Sequence, residues 1–285
     1  MPIVLQNVRF RTDYRAASAE TGFHEVFCLQ NMTLTEKINL VFLPGLITDE
    51  RLFRDQIDDL SDIARSTVAD LATADTIAEM AARVLAQSPP QFALVGLSMG
   101  GYVALEIMRV APERVLALAL LSTSSRPDTP EATASRLKAI AQAETNFQIV
   151  LDQLMPKLVH PSRMRYNSIV DTVYSMGHRV GKDAFVLQQR AIMGRVDSRP
   201  CLAAIACPTL VLCGRDDQLT PVELHEEMAA AISSAELVVM DECAHLSSMG
   251  RPEEVSRELR AWLARVPAAV RDEAVQLPAG SNCQL

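Results

Sequence analysis

No stretch of this sequence approaches the ~18 uninterrupted apolar residues that a membrane-spanning helix needs. Nor is there an excess of basic charge: Lys and Arg number 27 against 35 Asp and Glu, a net charge of −8. A nucleic-acid partner calls for a basic face that neutralises phosphates, so that class is set aside, and an anionic membrane surface is disfavoured for the same reason. The six cysteines, Cys28, Cys201, Cys207, Cys213, Cys243 and Cys283, form no C-x-x-C pair and no Cys/His spacing of a zinc site. Reduced thiols are the expectation, with Cys213, inside an apolar run, a small core residue. At the N-terminus, "MPIVLQNVRFRTDYRAASAE" is interrupted by Arg9, Arg11, Asp13 and Arg15 and makes a poor signal peptide, so a cytoplasmic location is expected. Internal repeats and low-complexity tracts are also missing. What remains is a chain of 285 residues, 49% hydrophobic and 22% charged, long enough to bury a sizeable core.

Short apolar runs alternate with helical patterns along most of the chain. "INLVFLPG", "STVAD", "QFALVG", "RVLALALLS", "PTLVLCG" and "ELVVMD" read as strands, several apolar almost throughout, as strands buried on both faces are. Between them, "RLFRDQIDDL" puts Leu52, Phe53, Ile57 and Leu60 on one helical face. "ADTIAEMAARVLAQ" does the same with Ile77, Met80, Ala81, Val84 and Leu85, and Asp75 is the expected N-cap. "GGYVALEIMRVAP", "PVELHEEMAAAI" and "PEEVSRELRAWLARV" complete the rhythm. This alternation predicts an α/β fold: a mostly parallel central sheet with helices on both faces. The core comprises residues 37–122 and 201–266. Between them, 123–200 is a helical insertion carrying "EATASRLKAIAQAE", "FQIVLDQLM" and "DAFVLQQRAIMG", punctuated by Pro127, Pro130, Pro156 and Pro161. Residues 1–36 have weak signals, with a possible strand in "HEVFCLQNMTL", and 267–285 read as a tail.

At the junction of "QFALVG" and the following helix stands Gly96-Leu97-Ser98-Met99-Gly100, a G-x-S-x-G nucleophile elbow in its strand-to-helix context. The alternative is a Gly-rich turn with a solvent-facing serine. A serine hydroxyl needs a base to become a nucleophile. Of five histidines, His245 follows an apolar strand and precedes a Pro-initiated helix, at the sheet edge where ligands bind in α/β folds. His225, beside Glu226 and Glu227, reads as a solvated helix residue. "HEEMA" is no zinc site because Ala229 stands where a second His is needed. His160 and His178 fall in the insertion and read as packing or surface residues, and His24 lies in the weak N-terminal segment. A histidine base needs an acid behind it, and "LVLCGRDDQLTP" offers Asp216 and Asp217 at another strand end. Their side chains should diverge, and Asp217 is the expected partner. Backbone donors for an oxyanion are expected at Met99, after the nucleophile, and at Leu46, in the loop after Pro44-Gly45.

The order Ser98, Asp217, His245, with this elbow and this strand pattern, resembles the α/β-hydrolase superfamily over roughly Ile38 to Val266. The elbow "GLSMGG" is similar to that of enol-lactone hydrolases and small bacterial carboxylesterases. Many members have His-Gly where this chain has Pro44-Gly45, and that His usually organises the oxyanion loop. The resemblance implies a serine hydrolase acting on a small or medium carboxylic ester or lactone through an acyl-enzyme, with no metal or organic cofactor and a small molecule as its partner. It also implies that the insertion is a lid over the pocket. Met155, Met164, Met176 and Met193 are candidates for its roof, against the commoner core role of Met at helical spacing, and Arg163, Arg165, Arg179 and Arg190 are candidates to meet a substrate carboxylate. Two other readings stay open: a carbon–carbon bond hydrolase or a lyase of the menaquinone-synthesis kind, and a ligand receptor with a vestigial triad.

Overall fold

The computed structural model describes residues 37–267 and the backbone of 8–10. Seven strands form one parallel sheet: β1 (Val8–Phe10), β2 (Ile38–Leu43), β3 (Ala64–Val68), β4 (Phe92–Leu97), β5 (Val115–Leu121), β6 (Thr209–Gly214) and β7 (Ala235–Met240). Their spatial order is β1-β7-β6-β5-β4-β2-β3, parallel at every pairing. The six strands expected from the sequence are all present, and β1, three residues long and mixed in composition, is added at the edge. The suggested strand in "HEVFCLQNMTL" and the tail beyond residue 267 lie outside the described residues.

The helices are α1 (Arg54–Asp59), α2 (Ile77–Gln87), α3 (Met99–Val110), α4 (Pro130–Thr145), α5 (Phe147–Leu158), α6 (Asn167–Met193), α7 (Val222–Ala231), α8 (Ser247–Gly250) and α9 (Pro252–Leu263). Every residue of β4 is buried, because both sheet faces are covered. Phe92 and Leu94 face a core shared with α2, α3 and α7. Ala93, Val95 and Leu97 face the other, which includes Leu52, Phe53 and the single Trp262 of α9. Cys213 is fully buried, as its apolar run suggested, and burial pushes its thiol up to about 12.

Helices α4, α5 and α6 join β5 to β6 and share a third, smaller core around Val150, Leu151 and Phe185. Three local readings need correction. The N-cap of α2 is Thr76, whose hydroxyl accepts from the Glu79 N–H at 3.1 Å, and not Asp75. The T-x-x-E spacing of a capping box outweighs the better general cap one residue earlier. Pro156 lies inside the last turns of α5 rather than ending a segment. And α6 begins at Asn167, a full turn-series before "DAFVLQQRAIMG". Its first half carries Gly177 and ends at Gly181, whose φ of 82° breaks the helical path, and this interrupted the periodicity.

Candidate active site

Four strands deliver the site from their carboxyl ends. Adjacent registers align Leu43 with Gly96 and Gly214 with Met240, so the loops after β2, β4, β6 and β7 open at one edge of the sheet. Ser98 sits between β4 and α3 with φ 55° and ψ −115°, a conformation L-residues rarely adopt and one worth roughly 1–3 kcal/mol of strain. The turn is held by Ser98 N–H to the Leu121 carbonyl at 2.9 Å and by Gly101 N–H to the Ser98 carbonyl at 2.9 Å. Its glycines follow from contact. A Cβ on Gly96 would strike the Gly100 carbonyl, and one on Gly100 would strike the backbone of Leu43.

From this turn Ser98 Oγ lies 2.8 Å from His245 Nε2, and His245 Nδ1 lies 2.8 Å from Asp217 Oδ2. The structure thus brings together the three side chains the sequence singled out. The loops carrying them are sewn to each other: Arg215 N–H donates to the Met240 carbonyl and Asp216 N–H to that of Cys243. Asp217 is buried and turned inward, accepting from Leu219 N–H, Thr220 N–H and Thr220 Oγ1–H at 2.8, 3.0 and 2.7 Å. Burial pushes its carboxyl upward, but His245 and these donors outweigh that and hold it below the ordinary carboxylate value. Asp216 is exposed and points the other way, 3.6 Å from His160 Nε2.

The loop after β2 turns through Gly45, Leu46, Ile47 and Thr48, with Ile47 at φ 55°. Thr48 N–H and its hydroxyl both donate to the Gly45 carbonyl. The loop opens with Pro44-Gly45, and a side chain from outside it holds it in place. Gln188, buried on α6, accepts from Ile47 N–H at 2.9 Å and donates to the Leu71 carbonyl at 3.3 Å. No local pattern signals this link, since Gln188 lies 141 residues from Ile47. The N–H groups of Leu46 and Met99 have no hydrogen-bond partner among the described residues.

His225 is not a solvated surface residue: it is fully buried. Its Nε2 accepts from Thr123 N–H at 2.9 Å and its Nδ1 sits 3.2 Å from the Pro221 carbonyl. Thr123 Oγ1–H in turn donates to the Ser98 carbonyl at 2.8 Å, so this histidine braces the elbow from behind. The two flanking glutamates suggested exposure, but Val222, His225, Met228 and Ala229 fall on one helical face, and that face is the inner one.

Ser98 and His245 open onto a cavity of about 120 Å³. Leu46, Ile47, Leu154, Leu158, Leu219 and Leu246 give it an apolar lining, and Arg136 and Gln189 add polar groups. None of the four methionines read as roof candidates lines it. Met155 and Met176 are core, and Met164 is exposed. Arg163, Arg165, Arg179 and Arg190 do not line it either, and Arg179 is paired with Asp49 and Glu50 at the surface. His178 is exposed, and His24 falls outside the described residues. Among the described residues no three His, Cys, Asp or Glu side chains gather as a metal site requires, and no helix is long and apolar enough to cross a membrane.

Residues 41–258 match the model of the alpha/beta hydrolase family. A pimeloyl-[acyl-carrier protein] methyl ester esterase of Aliivibrio salmonicida is 27% identical over 68% of this chain and 77% of its own length. A putative carbamate hydrolase of Rhizobium rhizogenes is 29% identical over 67% and 73%. Among solved structures, a thermophilic esterase from Thermogutta terrifontis superposes with a TM-score of 0.74 at 28% identity, covering 81% of this chain and 91% of that one. The enol-lactonase from Burkholderia xenovorans shares the fold, with a TM-score of 0.73 at 22% identity over 80% and 92%. The chain belongs to the alpha/beta hydrolase family.

Proposed function

We propose that the protein is a serine hydrolase that cleaves a small carboxylic ester or lactone, with Ser98 as nucleophile, His245 as general base and Asp217 as the acid that orients it. The observation that carries this reading is the hydrogen-bonded line Ser98 Oγ, His245 Nε2, His245 Nδ1, Asp217 Oδ2, with both links at 2.8 Å, at the mouth of an apolar cavity. In the resting site Asp217 accepts from Nδ1–H, which leaves Nε2 the acceptor for the Ser98 hydroxyl proton. As Oγ bonds to the acyl carbon, that proton passes to Nε2 and the carbonyl oxygen becomes an oxyanion. The N–H groups of Met99 and Leu46 receive it, and the positive end of α3 favours it. Nε2–H then protonates the departing alcohol as the C–O bond breaks. Water repeats the sequence on the acyl-enzyme: it gives its proton to Nε2, adds to the acyl carbon, and the acid leaves as Ser98 recovers its proton.

Relatives named as esterases support an ester bond as the target. The cavity volume supports a short acyl group: about 120 Å³ is comparable to cavities that admit a benzene-sized molecule. Helices α4–α6 act as the lid over it. The test is hydrolysis of p-nitrophenyl acetate and butyrate by wild type beside Ser98→Ala, with a fluorophosphonate probe on both. Wild type turns over and takes the label; the variant loses at least ~10³-fold in kcat and takes none. A wild type that neither labels nor hydrolyses overturns the reading and leaves a receptor in its place.

A further inference from the structure

The cavity above Ser98 has one ionic feature, and it is cationic. Arg136 of α4 reaches into the lining, whereas no Asp or Glu is among the described residues that line it. The arginine is held in place from behind. Its Nε donates to both oxygens of Asp128, at 3.2 and 3.1 Å. Asp128 does not neutralise it fully, because the same carboxylate also accepts from Arg195 Nη1 at 2.7 Å. Two guanidinium groups share one buried carboxylate, so the cluster keeps a net positive charge. Asp128 is 2% exposed and Arg195 10%, while Arg136 is 24% exposed, so the surplus charge reaches open space through Arg136.

Gln189 sharpens the geometry. It is buried on α6, lines the same cavity, and its Oε1 accepts from Arg136 Nη1 at 2.9 Å. With the carbonyl oxygen committed to the arginine, the amide nitrogen is left as a donor. Neither that nitrogen nor Arg136 Nη2 has a partner among the described residues. A guanidinium edge and an amide N–H₂ side by side, in an otherwise apolar chamber, match a carboxylate and leave a hydrocarbon end unserved.

We propose that the substrate is a half-ester: a short dicarboxylic acid esterified at one end, with the free carboxylate seated on Arg136 and Gln189 and the ester carbonyl at Ser98. This rests on the serine hydrolase reading and narrows it. The carboxylate stays ionised throughout and takes no part in bond making; it fixes the distance and direction at which the carbonyl meets Oγ.

Monomethyl succinate, glutarate and adipate test it, each against a neutral methyl ester in which an isopropyl group replaces the carboxylate, with the acid product measured by chromatography. The half-ester of matching length is expected to show kcat/KM about 10–100-fold above its neutral counterpart, the usual reach of a charge-assisted hydrogen bond, mostly through KM. Arg136→Gln lowers that ratio at least tenfold, Arg136→Lys keeps part of it, and Gln189→Glu, which sets a second anion beside the site, also lowers it. Because the ratio is first read on wild type, a misfolded variant does not remove the test. Cleavage of both members of every pair at equal efficiency, or a preference that survives Arg136→Gln, overturns the half-ester proposal and leaves the hydrolase standing. Fluorophosphonate labelling without cleavage of any pair has the same meaning. No cleavage and no labelling overturns both.

Discussion

His225 places a titratable ring where water cannot follow it. Burial lowers its pKa from the ordinary 6.5 to about 4, so the ring is neutral at physiological pH and its Nε2 is free to accept from Thr123 N–H. In the unfolded chain the same ring takes up a proton below about 6.5. Between about 6.5 and 4 the unfolded state therefore binds more protons, and folding stability falls as the pH drops through that window. The melting temperature of wild type is expected to decline from pH 6.5 to 4, and His225→Gln, which has no proton to gain, is expected to lose less over the same interval. Parallel melting curves for the two proteins would remove His225 as the cause. Asp217 acts in a different window: its carboxyl is held below the ordinary 3.8, so its contribution is intact above that value and disappears only at still lower pH. Ser98, Asp217 and His245 were legible one residue at a time because each falls in the loop just after an apolar strand. His225 was not, since its neighbours in sequence are charged and its neighbours in space are apolar. Arg136 carries no such signal either, because nothing local in sequence separates a cavity-facing arginine from a solvated one.

At the level of elements, periodicity exposed what is regular and hid what is joined. The apolar runs of β2 and β4 to β7 and the stripes of α2 and α9 fix the sheet and its layers, because a buried strand or helix face has only one way to satisfy both its backbone and its side chains. The hold of α6 on the loop after β2 is invisible to such patterns. Gln188 supplies its buried polar part, with one bond to Ile47 N–H and one to the Leu71 carbonyl, while Arg179 of the same helix pairs with Asp49 nearer the surface. If Leu46 N–H serves the oxyanion, Gln188 sets its aim from α6. Gln188→Leu keeps the apolar bulk but leaves Ile47 N–H buried and unpaired, a loss of about 1–3 kcal/mol. The expected result is a 10–100-fold fall in kcat with a smaller change in KM, while fluorophosphonate still labels Ser98. A variant that loses KM and kcat alike, or loses nothing, assigns Gln188 to packing alone.

On the scale of the molecule, the helical layer packs into both cores of the sheet, through Met155, Leu158, Val173 and Met176 on one side and Ala191 and Ile192 on the other. The layer has its own small core, and α6 carries at Gly181 a break in its helical path with open space around it. Asp128, in the connection that leaves β5, ties the layer down: it receives Arg136 from α4 and Arg195 from beyond the end of α6, and Arg195 also donates to the Arg126 and Ile192 carbonyls. Its guanidinium lies 4.4 Å from the centre of the Tyr102 ring of α3, so the tie reaches the core beneath. Asp128→Asn removes the only carboxylate of this cluster and leaves two cations facing each other. Breaking a buried pair in this way costs about 3–5 kcal/mol, and less here because Arg136 is partly solvated. For a domain of this size that corresponds to a fall in melting temperature of roughly 5–10 °C. Because every group of this cluster except Tyr102 belongs to 123–200, the loss should fall on the layer first: limited proteolysis of Asp128→Asn is expected to cut within 123–200 while the strands of the sheet stay protected. Uniform loss of protection across both units would mean that layer and sheet unfold as one, and that the helices cannot open over the cavity without the core.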